Sequence, residues 1–148
     1  MKETQVVVFF LNGMPFGADA EEIEEVVRYH ALHKNQECNE DKACSLPCME
    51  GYADVRGNMI PVVNLGKYLG LEEAAVPSNA KIILARADGN LAGFLVDNVT
   101  EIMRLDENSI KKAPGIIATP ENECIEKFVV IGENLFPVIR FKTILKRK

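Results

Sequence analysis

A mainly β chain folded as two small barrels packed together is what this sequence predicts. Three observations lead there. The chain resembles itself at an offset of 76 residues, glycine turns separate short Val- and Phe-rich runs, and helical signals are few and short.

At the 76-residue offset the punctuation coincides. Val6-Val7-Val8 falls on Ile82-Ile83-Leu84, Gly13 on Gly89, and Gly17 on Gly93. Ile23-Glu24-Glu25-Val26-Val27-Arg28 falls on Val99-Thr100-Glu101-Ile102-Met103-Arg104, and Ile60-Pro61-Val62-Val63 on Phe136-Pro137-Val138-Ile139. The expectation is one domain over residues 1–148, with related halves near 1–76, the first barrel, and 77–148, the second. Two copies are too few for a solenoid, which needs about three or more.

The elements follow in order. Gln5 to Leu11 reads as a strand ending at Asn12-Gly13, the strongest short hairpin signal. Asp19-Ala20-Glu21-Glu22 has an N-cap residue and a Glu three places on, enough for one or two helical turns. Gly51 to Arg56 and Met59 to Leu65 flank the turn Gly57-Asn58, and Gly66 to Leu71 forms a short helix. Glu72 to Asn79 joins the halves. Lys81 to Ala87 and Leu91 to Val96 flank Asp88-Gly89-Asn90, and Lys111 to Asn122 reads as a surface loop. Phe128 to Ile131 and Leu135 to Ile139 flank Gly132-Glu133-Asn134, before a last short helix over Phe141 to Lys148.

Composition bounds the function. At 148 residues with 47% hydrophobic side chains, the chain can build a real core. A net charge of −5 weighs against nucleic acid or an anionic membrane as the main partner, because phosphates need Lys and Arg to neutralise them. The longest apolar run, Val6 to Leu11, is far short of the ~20 residues that span a bilayer. The polar start carries no secretory signal, so a cytoplasmic protein without membrane insertion is expected.

Chemistry is scarce. The only histidines are His30 and His33, no serine sits in a nucleophile elbow, and no glycine loop has the phosphate-cradling pattern. Glu21, Glu22, Glu24 and Glu25 read as a solvated face. No enzyme activity and no cofactor are expected. One metal candidate stands out: His30, His33, Cys38, Cys44 and Cys48 supply imidazoles and thiols that suit zinc, though without the close Cys-x2-Cys knuckle. The plainer reading is a polar loop, with Cys48 matching Cys124 at the offset as a structural pair.

Three blocks then carry a resemblance. Phe10-Leu11 with Phe16-Gly17 and Ile23-x-Glu25-Val26 come first. Gly51-x3-Val55-Arg56-Gly57-x-Met59-Ile60-Pro61-Val62-Val63-x-Leu65 and Ala92-Gly93-Phe94-Leu95-Val96-Asp97-x-Val99 follow. Together the chain resembles the CheW family of bacterial chemotaxis coupling proteins, from Val6 to Leu145. The resemblance implies two intertwined SH3-like five-stranded β-barrels with a few short helices. It implies a non-catalytic adaptor that joins the cytoplasmic tip of a methyl-accepting chemoreceptor to the regulatory domain of a CheA-type histidine kinase, in receptor arrays at the inner face of the membrane. Carried over by position, Arg56 is the leading partner-binding residue. Gly51, Val55 and Gly57 shape its surface, and Ile23, Glu25, Val26, Val96, Asp97 and Val99 line the groove between barrels. Asp54-Val55 stands where the family often has Asn-Leu, and Asn64-Leu65-Gly66 where it often has Asp then Leu-Arg. The alternative is an adaptor of a non-motility chemosensory pathway with a metal- or redox-sensing cysteine loop.

Overall fold

The structure, a computed structural model, describes residues 3–33, 48–71, 75–87, 89–112 and 124–146. The first half supplies β1 (Glu3–Leu11), β2 (Met14–Asp19), β3 (Ile23–Arg28), β4 (Met49–Val55), β5 (Asn58–Asn64) and the short helix α1 (Leu65–Tyr68). The second supplies β6 (Lys81–Ala87), β7 (Asn90–Val96), β8 (Asn98–Asp106), β9 (Ile110–Lys112), β10 (Ile125–Ile131), β11 (Asn134–Ile139) and α2 (Phe141–Lys146).

The strands form two sheets, in the orders β8-β1-β2-β11-β10-β9 and β3-β6-β7-β5-β4. The 76-residue offset relates their registers pair by pair. Val6 faces Met103 and Val27 faces Ile82; Val138 faces Gly17 in parallel and Val62 faces Gly93 in parallel. The bulges coincide too, one between Val8 and Phe9 opposite β8 and one between Ile23 and Glu25 in β3.

Neither sheet belongs to one half. The first hairpin of each half, β1-β2 or β6-β7, pairs with the remaining strands of the other half. The boundary near residue 76 therefore does not divide one sheet from the other, and one barrel per half is amended to two barrels that exchange hairpins. The first sheet also has a sixth strand, β9, which continues β8 beyond a 3-10 turn at Glu107–Ser109. Lys111 and Lys112, expected in a loop, lie in it because they pair with Phe128 and Lys127. The expected strands omitted β3 and β8: both are edge strands whose outward positions carry Glu24, Thr100, Glu101 and Arg104, which blurs the apolar alternation.

Alternation sends each sheet's two faces to different cores. Val6, Val8, Val129 and Phe136 fill the first barrel, and Ile60, Val62, Ile82 and Leu84 fill the second. The opposite faces meet in the largest cluster, where Phe9, Phe16 and Ile139 of the first sheet pack with Ile83, Phe94 and Val96 of the second. Phe141 of α2 lies in this seam, with ring centroids 4.4 Å from Phe94 and 6.4 Å from Phe9. In each parallel pair one strand needs glycine for space. A Cβ on Gly17 would stand 2.6 Å from Val6 Cγ1, and one on Gly93 2.6 Å from Ile82 Cγ2.

Candidate functional site

The turn between β4 and β5 is a two-residue hairpin loop with Arg56 at φ 52° and Gly57 at φ 88°, the type I′ geometry. Such a turn favours Asn or Gly at its first position, as Asn12 shows at φ 51° in the β1–β2 turn, where Gly13 follows at φ 78°. Arginine at positive φ is locally unfavourable, so its presence points to a use outside the turn. Asp54 Oδ1 steadies the loop by accepting the Gly57 N–H at 2.9 Å.

The Arg56 guanidinium is engaged by Glu25 of β3. Nη2 donates to Oε1 at 2.7 Å and Nη1 to Oε2 at 3.0 Å, a two-pronged fork between residues 31 apart in sequence. The fork spans the second barrel between its terminal strands, β3 and β4-β5. It leaves the Arg56 side chain 69% exposed. The hydrogen bonds from Arg56 hold the Glu25 carboxyl below its ordinary range, so the pair outlasts that range and is lost only as pH falls through the lowered value. Val26, next along β3, is an exposed aliphatic at 37%.

The other expected site residues divide by place. Ile23 and Val99 pack against the inter-barrel core and Val96 is inside it at 1% exposure, so Val96 offers a partner no surface. Val55 is buried in the second barrel. Gly51 closes that barrel: beside it His33 and Tyr52 exchange two backbone hydrogen bonds of 2.8 Å. Asp97 holds the β1–β2 turn, its N–H donating to Phe10 O at 3.0 Å and its Oδ2 accepting the Asn12 N–H at 2.8 Å. The structure thus brings together Glu25, Arg56 and Gly57, leaves Val26 exposed on the alternate side of β3, and gives Gly51, Val55, Val96 and Asp97 structural positions elsewhere in the fold.

Sequence reasoning missed several exposed aliphatics: Met59 at 50%, Ile102 at 62% and Leu135 at 60%. The offset contained the signal, since Ile102 falls on Val26 and Leu135 on Met59. The acidic run is also not merely solvated. Glu24 pairs with Arg86 at 3.2 Å, and Glu22 lies 3.6 Å from Arg140, which reaches Glu126 at 2.7 Å. These groups line a cleft of about 510 Å³. Both its arginines are already engaged by glutamates, which makes it a charged joint between elements rather than a ligand site.

Glu22 departs furthest from expectation. Asp19 caps its own turn by accepting the Glu21 N–H at 3.0 Å, but Glu22 turns away and its Oε1 accepts the N–H of Phe141 at 2.9 Å. Burial pushes the Glu22 carboxyl above its ordinary 4.5, against the lowering pull of the Phe141 N–H and Arg140. For an acid with a raised folded pKa, the ionised form is the one the fold disfavours. Glu22→Gln, which keeps the acceptor but does not ionise, is expected to match or slightly exceed wild-type melting temperature at neutral pH. That advantage should vanish below pH 4.5, as paired thermal melts across pH would show.

Of the metal candidates, Cys38 and Cys44 lie outside the described residues. His30 and His33 are exposed, and Cys48 sits at φ 55° with its thiol pushed up by burial, which lowers its thiolate fraction. Among the described residues no group of three His, Cys, Asp or Glu side chains is placed to hold a metal ion. Cys48 and Cys124 do occupy matching places: the carbonyl of Cys48 accepts the Asn64 N–H at 2.9 Å and that of Cys124 the Arg140 N–H at 2.8 Å. No helix among the described residues is long and apolar enough to cross a membrane.

Comparison with known proteins places this geometry in a family context. A family model described as a CheW-like domain matches residues 5–148. The chain is 33% identical over 131 residues to the chemotaxis protein CheW of Thermotoga maritima, covering 80% of each chain. To the chemotaxis protein CheW of Bacillus subtilis it is 22% identical, over 97% of this chain and 88% of the relative. Among solved structures, the scaffolding protein TtCheW of Thermoanaerobacter tengcongensis superposes with a TM-score of 0.82 at 28% identity, covering 98% of this chain and 94% of that one.

Proposed function

The chain belongs to the CheW family, and from that premise we propose that it is a non-catalytic adaptor coupling methyl-accepting chemoreceptors to a CheA-type histidine kinase. Its partners are the regulatory domain of that kinase and the cytoplasmic tip of the receptor, and its place is in arrays at the inner face of the membrane. The observation that carries this reading is Arg56, an exposed arginine held at positive φ and oriented by the Glu25 fork. An oriented guanidinium has lost part of its conformational freedom before a partner arrives, so less is lost on binding. Arginine is among the side chains most often found as interface anchors, and Val26 adds exposed apolar area on the same strand as Glu25.

Adaptor work needs rigidity and two addresses, not a reaction. The two barrels share one continuous core, so groups displayed on one are held in fixed relation to groups on the other. The test is titration calorimetry of the purified chain against a CheA-type regulatory domain and, separately, a receptor-tip fragment. Saturable 1:1 binding to each is expected. Heats indistinguishable from dilution with both partners would reject the reading.

A further inference from the structure

The turn Ala20–Glu22 is where the chain leaves β2 of the first sheet for β3 of the second. Glu22 in that turn reaches α2, 119 residues away, and its side chain is only 14% exposed. The matching helix α1 needs no such help. Asn64 occupies its N-cap, and Asn64 Oδ1 accepts the Lys67 N–H at 3.0 Å. At the corresponding place before α2 stands Arg140, whose side chain has no acceptor to offer. In the place of Glu22 the second half has Asn98, whose Oδ1 accepts the N–H of its neighbour Val99 at 2.9 Å. Among the described residues the long-range tie is therefore seen in the half that carries the Arg56–Glu25 fork.

Glu25 is three residues beyond Glu22, and the β3–β6 register is broken between Ile23 and Glu25. With the ladder interrupted there, the placement of this stretch depends on what holds its beginning. We propose that Glu22 is a positioning residue for the Arg56 surface: by anchoring the crossover to the start of α2, it sets where β3 begins and so where Glu25 holds the Arg56 guanidinium. Glu24, paired with Arg86, steadies the same stretch from β6. The proposal rests on reading Arg56 as the partner-facing residue, and its test separates the two.

The experiment follows the Arg56 guanidinium by 15N NMR in the free protein, and affinity for the kinase regulatory domain by calorimetry. In Glu22→Ala the split Nη signals of a held fork should collapse to those of a freely rotating side chain, and affinity should fall about three- to tenfold. Glu22→Gln keeps the acceptor and should restore both. Because Glu22→Ala also uncaps α2, Glu22→Ala combined with Arg140→Asn gives the helix a cap of its own, as Asn64 does for α1. In that double variant the melting temperature should recover while the Arg56 signals stay averaged. Wild-type Arg56 signals in either variant would overturn the proposal and leave Glu22 a helix cap only. If Arg56→Ala binds the kinase domain like wild type, the reading of Arg56 fails, yet the NMR signals still decide what Glu22 positions.

Discussion

Replacing Gly51 by alanine is expected to cost about 2–4 kcal/mol and lower the melting temperature by about 5–15 °C. Gly51 has φ 154°, and an added Cβ would stand 2.7 Å from the carbonyl oxygen of His33 and 3.1 Å from Leu32 Cβ. That oxygen is the one that accepts the Tyr52 N–H, so relief of the clash means breaking the bridge that closes the second barrel. The first barrel contains a natural control. Its matching position is Lys127, in a strand with the same bulge, and it bears a side chain because β9 pairs with it in regular register at Lys112. The requirement for glycine comes from the φ of 154°, which Lys127 does not share, and from the close approach of Leu32 and His33. Thermal melts of Gly51→Ala beside Lys127→Ala would check this: a large loss is expected in the first and a small change in the second. Equal effects would mean that closure of the second barrel does not depend on that approach.

Much of this fold was legible and some of it was not, for physical reasons. A repeat reveals which segments are equivalent, and so the turns at Asn12, Gly57 and Gly132 were readable. It does not reveal which copy each hairpin joins, because β1 satisfies β3 or β8 equally well on pattern alone. Only packing into the shared seam, where Phe141 meets both Phe9 and Phe94, selects the exchanged arrangement. The long-range pairs were also hidden. Nothing in a chain with 22 acids and 17 Lys and Arg says that Glu22 chooses the Phe141 N–H or that Glu25 chooses Arg56. Gly51 was legible as part of the Arg56 hairpin block, but the steric constraint on it from His33, 18 positions earlier, was not. Val96 is buried in the shared core and Asp97 bonds the β1–β2 turn, roles that the family resemblance alone does not reveal.

Arg56→Glu is expected to weaken binding to the kinase regulatory domain or the receptor tip by at least about thirtyfold. The substitution removes the exposed guanidinium and sets a second carboxylate against Glu25, so the surface both loses its cation and gains repulsion. Stability should hardly move, because the fork is solvent-exposed and solvent screens it. The melting temperature should stay within about 2 °C of wild type. Glu25→Arg combined with Arg56→Glu rebuilds a pair with the charges exchanged. Partial recovery of binding in that double variant would assign the effect to the fork itself, and none would assign it to the arginine's position.

If this chain makes kinase activity answer to receptors, as proposed, reconstitution will reveal it. A CheA-type kinase and membranes bearing a methyl-accepting chemoreceptor are mixed with and without the chain, and kinase autophosphorylation is followed. Receptor-dependent activation is expected only when the wild-type chain is present, and Arg56→Glu should not support it. Equal kinase activity with and without the chain, across receptor concentrations that saturate binding, would rule out a coupling role.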